Sequence, residues 1–134
     1  MLPPPLLARA ARARKIVEVG AGARFETATE LARCGAEILV TDVDARVLAA
    51  PAPLLALLHD VHDAPAPAML GADVVLSVRP PEEIQLACAK LARALDADLA
   101  LRPLKDEWAD ISASFRRHVV WPDGWRYFAS KPER

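Results

Sequence analysis

Residues 15–25 read Lys-Ile-Val-Glu-Val-Gly-Ala-Gly-Ala-Arg-Phe, and this stretch decides the fold. Lys15 to Val19 is short and rich in β-branched side chains, the pattern of a strand, and it stops at Gly20. From Phe25 to Cys34, Phe25, Ala28, Leu31 and Ala32 recur near helical spacing, and Gly35 ends the run. Glycines between a strand and a helix let the backbone turn tightly and let a ligand approach it closely. The helix start beyond them offers free N–H groups and a positive dipole end. A tight βα turn with no ligand would show the same pattern.

Working outward, residues 6–14 are good helix formers behind prolines that suit a helix start. Glu37 to Thr41 reads as a second strand closed by Asp42, Val43 and Asp44. Leu54 to Leu58 is a candidate third strand, although Leu and Ala suit a helix as well. His59 to Pro67 carries loop residues. Asp73 to Val78 is apolar but for Asp73 and Ser77, as expected for a strand covered on both faces. Ile84, Ala87, Cys88, Leu91 and Leu95 form a helical stripe over 82–95, and 97–101 reads as a further strand. Residues 115–121 and 125–129 are β-like and flank the turn Pro122-Asp123-Gly124, which predicts an antiparallel hairpin. The expected fold is therefore α/β, a Rossmann-like three-layer sandwich. Its mostly parallel sheet has six or seven strands and a C-terminal antiparallel hairpin. That ending is similar to the class I methyltransferase version of the fold.

Composition bounds the function. A chain of 134 residues, 53% hydrophobic and 26% charged, suits one globular domain over 1–134. A net charge of -1 argues against binding nucleic acid or an anionic membrane through bulk charge. Cys34 and Cys88 are far apart and form no CxxC pair, which excludes a disulfide scaffold or zinc ribbon. No apolar run approaches the roughly 20 residues of a membrane span, and prolines and arginines interrupt the N-terminus where a signal peptide would be apolar. A cytoplasmic protein is expected. The basic residues Arg9, Arg12, Arg14 and Lys15 read as an exposed helix face.

The candidate site residues lie where open α/β sheets place their ligand crevice, at the carboxyl ends of the strands. A dinucleotide fingerprint would have Gly or Ala at position 25, where Phe25 stands. Glu18, two before Gly20, also departs from most dinucleotide sites, and Glu18-x-Gly20-x-Gly22 resembles the first motif of S-adenosylmethionine-dependent methyltransferases. Asp42 follows Gly20 by 22 positions and suits a ribose-binding acid, or equally a helix N-cap, as does Asp44. In the methyltransferase layout Asp60 would face the adenine amino group and Val61 would pack on the ring. A solvated loop, or a metal cluster with His59, His62 and Asp63, are the alternatives there, and the flanking prolines disfavour the cluster.

Ser77-Val78-Arg79-Pro80-Pro81-Glu82 stands where amine-methylating enzymes carry Asn, Asp or Ser before two prolines and an aromatic. Arg79 cannot accept a hydrogen bond from an amino group. It suits a carboxylate or phosphate, of cofactor or substrate, or is a surface residue before a helix. Arg102, before Pro103, aims a second cation at the same edge.

Val17-Glu18-Val19-Gly20-Ala21-Gly22, Arg24-Phe25, Thr41-Asp42-Val43, the stretch 77–82, and Ala97-Asp98 through Leu101-Arg102-Pro103-Leu104 together resemble uncharacterised protein family 0146, small archaeal proteins with a methyltransferase-like Rossmann fold. The resemblance implies the fold and the crevice but no reaction. The expected ligand is a small nucleotide-type molecule, S-adenosylmethionine first, with a non-catalytic nucleotide- or NAD-binding module as the alternative. So short a chain leaves little room for a substrate wall, so catalysis would call for a partner chain, a homodimer or a very small acceptor.

Overall fold

A computed structural model describes residues 2–105 and 107–130. Among the described residues three α-helices, α1 (Pro4–Arg12), α2 (Glu26–Ala32) and α3 (Glu82–Ala94), pack on one seven-stranded sheet. The strands are β1 (Lys15–Val19), β2 (Glu37–Asp42), β3 (Leu55–Leu58), β4 (Val74–Val78), β5 (Asp98–Arg102), β6 (Arg117–Val120) and β7 (Arg126–Ala129). Their order is β3-β2-β1-β4-β5-β7-β6. The first five run parallel, and β7 inserts antiparallel between β5 and β6. The order reverses between β1 and β4, so the ligand crevice of such a sheet belongs above those two strands. Among the described residues no helix is long and apolar enough to cross a membrane.

Alternation along each strand sorts the core into two layers. Ile16, Ile38, Val40, Val74, Leu76 and Ala100 face α1 and α2 and bury Leu6, Ala10, Ala28 and Leu31. Val17, Val19, Leu39, Val75, Leu99 and Leu101 face the other way, against Cys88, Leu91 and Ala92 of α3. Each fully buried Leu or Ile contributes roughly 1.5–3 kcal/mol through removal from water. The helix α1 starts on prolines and carries Arg9 and Arg12 in its last turn, where cations complement the dipole.

The expected basic helix face needs correction: α1 ends at Arg12, and Lys15 lies in β1 with its Nζ donating to the Ala68 and Leu70 carbonyls at 2.9 and 3.0 Å. Arg9 is not an exposed face residue. Its Nε donates to the Tyr127 hydroxyl at 2.8 Å and to Asp98 Oδ2 at 3.3 Å, and the Tyr127 hydroxyl donates to Asp98. This cluster ties the first helix to β5 and β7. Burial opposes ionisation of Asp98, but the Tyr127 hydroxyl, the Ser130 N–H and Arg9 together hold its carboxyl below the ordinary value. The two middle connections also differ from full crossovers: each contains only a 3-10 turn, Ala45–Ala49 and Pro67–Met69. Pro51, Pro53, Pro65 and Pro67 lack the N–H groups a longer helix would need there.

Candidate functional site

The loop after β1 is built by its own backbone. Gly20 and Gly22 have φ of +79° and +58°, a region that other residues enter only with strain. A Cβ would meet nothing closer than 3.9 Å at Gly20 and 3.7 Å at Gly22, so conformation rather than space demands glycine. The N–H groups of Gly20 and Ala21 both donate to the Thr41 carbonyl, at 2.9 and 3.2 Å. Two hydroxyls complete the strand tips: Thr41 donates to the Glu18 carbonyl at 2.9 Å and Ser77 to the Val19 carbonyl at 2.8 Å.

Asp42 faces this loop. Its Oδ2 accepts from the Gly22 N–H at 2.7 Å and its Oδ1 from the Asp44 N–H at 3.1 Å. Capping of the following 3-10 turn falls to Asp44, whose side chain accepts from the Arg46 N–H. Each carboxylate oxygen of Asp42 keeps a second lone pair for a hydroxyl donor.

Two cavities meet at the glycine loop. One, of about 360 Å³, is lined by Asp42, His59, Asp60, Val61, Ser77 and Ile84 among others. Asp60 accepts from both the N–H and the Nδ1 of His62, at 2.9 Å each, and these bonds hold its carboxyl below the usual range. Val61 is half-buried against the α3 layer. The second cavity, of about 810 Å³, holds Glu18, Arg24, Glu26, Arg46, Arg79 and Arg102. Gly20, Val78 and Arg79 line both, so the two form one crevice over the sheet edge. The structure thus gathers Glu18, Gly20, Gly22, Asp42, Asp60, Val61, Arg79 and Arg102 around one crevice, split between its halves. A third cavity of about 430 Å³, lined by Val61, His62, Leu86, Lys90 and Leu91 among others, adjoins the crevice at Val61 and His62 and includes no glycine-loop residue.

Glu18 is 3% exposed and its Oε1 has no hydrogen-bond partner. Burial, reinforced by Glu26, pushes its carboxyl up to about 8. His59 was legible in the sequence only as part of a loop or metal cluster. Here its Nε2 lies 2.9 Å from the Ala64 carbonyl and its Nδ1 is buried without a partner. Donation through Nε2 fixes the tautomer that leaves Nδ1 an acceptor. No sequence pattern could have singled out that nitrogen, because the loop's fold alone orients it.

Comparison with known proteins places the chain in a family. The sequence profile of the uncharacterised protein family UPF0146 matches residues 2–128. A UPF0146 protein of Halobacterium salinarum is 34% identical over 118 residues, 88% of this chain and 90% of that protein. The chain belongs to this family. Among solved structures, a Pyrococcus horikoshii protein matches with TM-score 0.66 at 12% identity, covering 95% of this chain and 87% of that one. An RNA methyltransferase of Salinibacter ruber, solved with S-adenosyl-L-homocysteine, matches with TM-score 0.64 at 14% identity, covering 100% and 95%. These likenesses establish a methyltransferase-like fold.

Proposed function

We propose that this UPF0146 protein binds S-adenosylmethionine across the two cavities and presents its methyl group to a small acceptor. One observation carries the reading. Among the described residues two buried side-chain polar atoms lack a partner, Glu18 Oε1 and His59 Nδ1, and both residues line the crevice. Buried polar groups are nearly always paired in native proteins, so orphans on two residues that line one crevice support a ligand there.

The chemistry of the orphans fits this cofactor. The adenine amino group is a donor suited to His59 Nδ1, with Val61 against the ring and Asp60 at its rim. Asp42 offers acceptors for ribose hydroxyls, and Gly20 lets the chain of atoms cross between the cavities. Glu18 offers a carboxyl to the ammonium group at the methionine end. The cofactor supplies an electrophilic methyl on a sulfonium, and in-line displacement asks the protein mainly for position. A second reading, nucleotide binding without transfer, is favoured by Arg79, which cannot accept a hydrogen bond from an amine substrate.

Isothermal titration with S-adenosylmethionine and S-adenosylhomocysteine tests the proposal. Saturable heat with both is the expected result. Neither heat nor a thermal shift at millimolar ligand would end it. Binding without label transfer from radioactive methyl donor to any acceptor selects the second reading.

A further inference from the structure

We infer that Arg24, Arg79 and Arg102 form an anion subsite at the mouth of the larger cavity, and that the acceptor carries a phosphate or carboxylate group; the second half rests on the cofactor reading above. Arg24, Arg46, Arg79 and Arg102 line this cavity against two carboxyl-bearing residues, Glu18 and Glu26. Arg46 is already satisfied, because its Nε and Nη2 donate to Asp44 Oδ2 at 2.9 and 2.6 Å. Arg102 donates Nε to the Asp123 carbonyl at 2.8 Å, which fixes its stem and leaves its terminal amino groups for a ligand. The side chains of Arg24 and Arg79 make no ion pair among the described residues.

Arg79 is the informative member. Its φ is +62°, a left-handed conformation that glycine adopts freely and arginine adopts with strain. Its N–H donates to the Arg102 carbonyl at 2.7 Å, which closes the β4–β5 ladder and binds the two arginines' backbones together. Asp96, Lys105 and Asp123 share this positive φ, but strain of this kind clusters at binding sites and Arg79 lines the cavity. The unpartnered carboxyl of Glu18 in the same cavity calls for a donor, so it belongs to the cofactor's ammonium and leaves the anion to the arginines. Guanidinium forks match carboxylate and phosphate oxygens in pairs, which a solvated arginine does not require. A small anion suits this site better than a polymer, given the net charge of -1.

The test is binding of inorganic phosphate to the full chain, read by thermal shift and calorimetry against chloride at equal ionic strength. Phosphate should stabilise the protein where chloride does not. Arg79→Gly should weaken phosphate about tenfold or more without lowering the melting temperature, since glycine relieves the backbone. Arg102→Gln provides a second, independent loss. Phosphate no better than chloride, or unchanged by both variants, overturns the subsite. Repeating the titration at saturating S-adenosylhomocysteine separates two sources of anion. Unchanged phosphate affinity assigns the arginines to the acceptor, whereas competition assigns them to the cofactor's own carboxylate and overturns the second half. Phosphate binding without S-adenosylhomocysteine binding upholds the subsite and sinks the cofactor reading.

Discussion

Replacing Glu18 by Gln removes a titration without much change of shape, and its effect on stability can be worked from burial. The carboxyl ionises near 4.5 in an unfolded chain and near 8 in the folded protein. The native state therefore holds the proton more tightly. Below pH 4.5 the carboxyl is neutral in both states and no penalty exists. Between 4.5 and 8 unfolding releases a proton, so stability falls as pH rises, by about 1.4 kcal/mol per pH unit. The full penalty, about 5 kcal/mol, is reached above pH 8, a third or more of a typical domain's stability. Urea unfolding of the wild type and Glu18→Gln at pH 5, 7 and 9 measures it. The Gln variant should gain on the wild type by several kcal/mol between pH 5 and 9. At pH 7 the wild-type carboxyl is about nine-tenths protonated, so a cationic ligand that ionises it should expel close to one proton. Calorimetry in buffers of different ionisation enthalpy would detect that proton, and Glu18→Gln should release none. A gap between the two proteins that moves by less than about 1 kcal/mol across this range refutes the claim that Glu18 is buried and unpartnered.

Asp42→Asn keeps an acceptor for the Gly22 N–H but loses the charge, so the fold should hold while affinity for S-adenosylhomocysteine falls about tenfold or more in calorimetry. Gly22→Val forces a β-branched residue to φ +58°, which should destabilise the protein by about 1–2 kcal/mol in urea unfolding and abolish ligand binding. Tyr127→Phe removes the hydroxyl between Arg9 and Asp98 and should lower stability by about 1–3 kcal/mol, with no change in ligand affinity.

Most of the sheet was legible because its strands bury both faces. Val74–Val78 is apolar but for Ser77, Lys15–Val19 is rich in β-branched residues and stops at glycine, and α3 shows a helical stripe. Leu55–Leu58 was ambiguous for a physical reason: β3 is an edge strand, half-exposed, written in Leu and Ala that serve a helix equally. The pairing of Arg9 with Asp98 and Tyr127 joins residues 89 and 118 positions apart, beyond any local pattern. In the crevice, residue types at strand ends were readable, but satisfaction was not. Only the folded chain reveals that Asp42 already holds the Gly22 N–H, or that Glu18 and His59 keep unpaired atoms.

The division of the crevice follows from strand alternation. Glu18, Val78 and Arg102 sit one pleat away from Val19, Ser77 and Leu101, so neighbouring residues face opposite sides of the sheet. The cavity with the carboxyl and the arginines lies on the side of α1 and α2, and the one with Val61, Ser77 and Ile84 on the side of α3. A molecule that occupies both must cross the sheet edge, and the crossing point is lined by Gly20, Val78 and Arg79. At Gly20 no side chain stands in the way. A compact ligand would gain nothing from this arrangement, because either cavity alone would hold it. An elongated ligand with a flat, donor-bearing end and a charged end would use both, and its length would enforce one orientation. The split cavity, the glycine at the crossing and the orphaned atoms in each half therefore point to the same shape of molecule, from three separate physical causes.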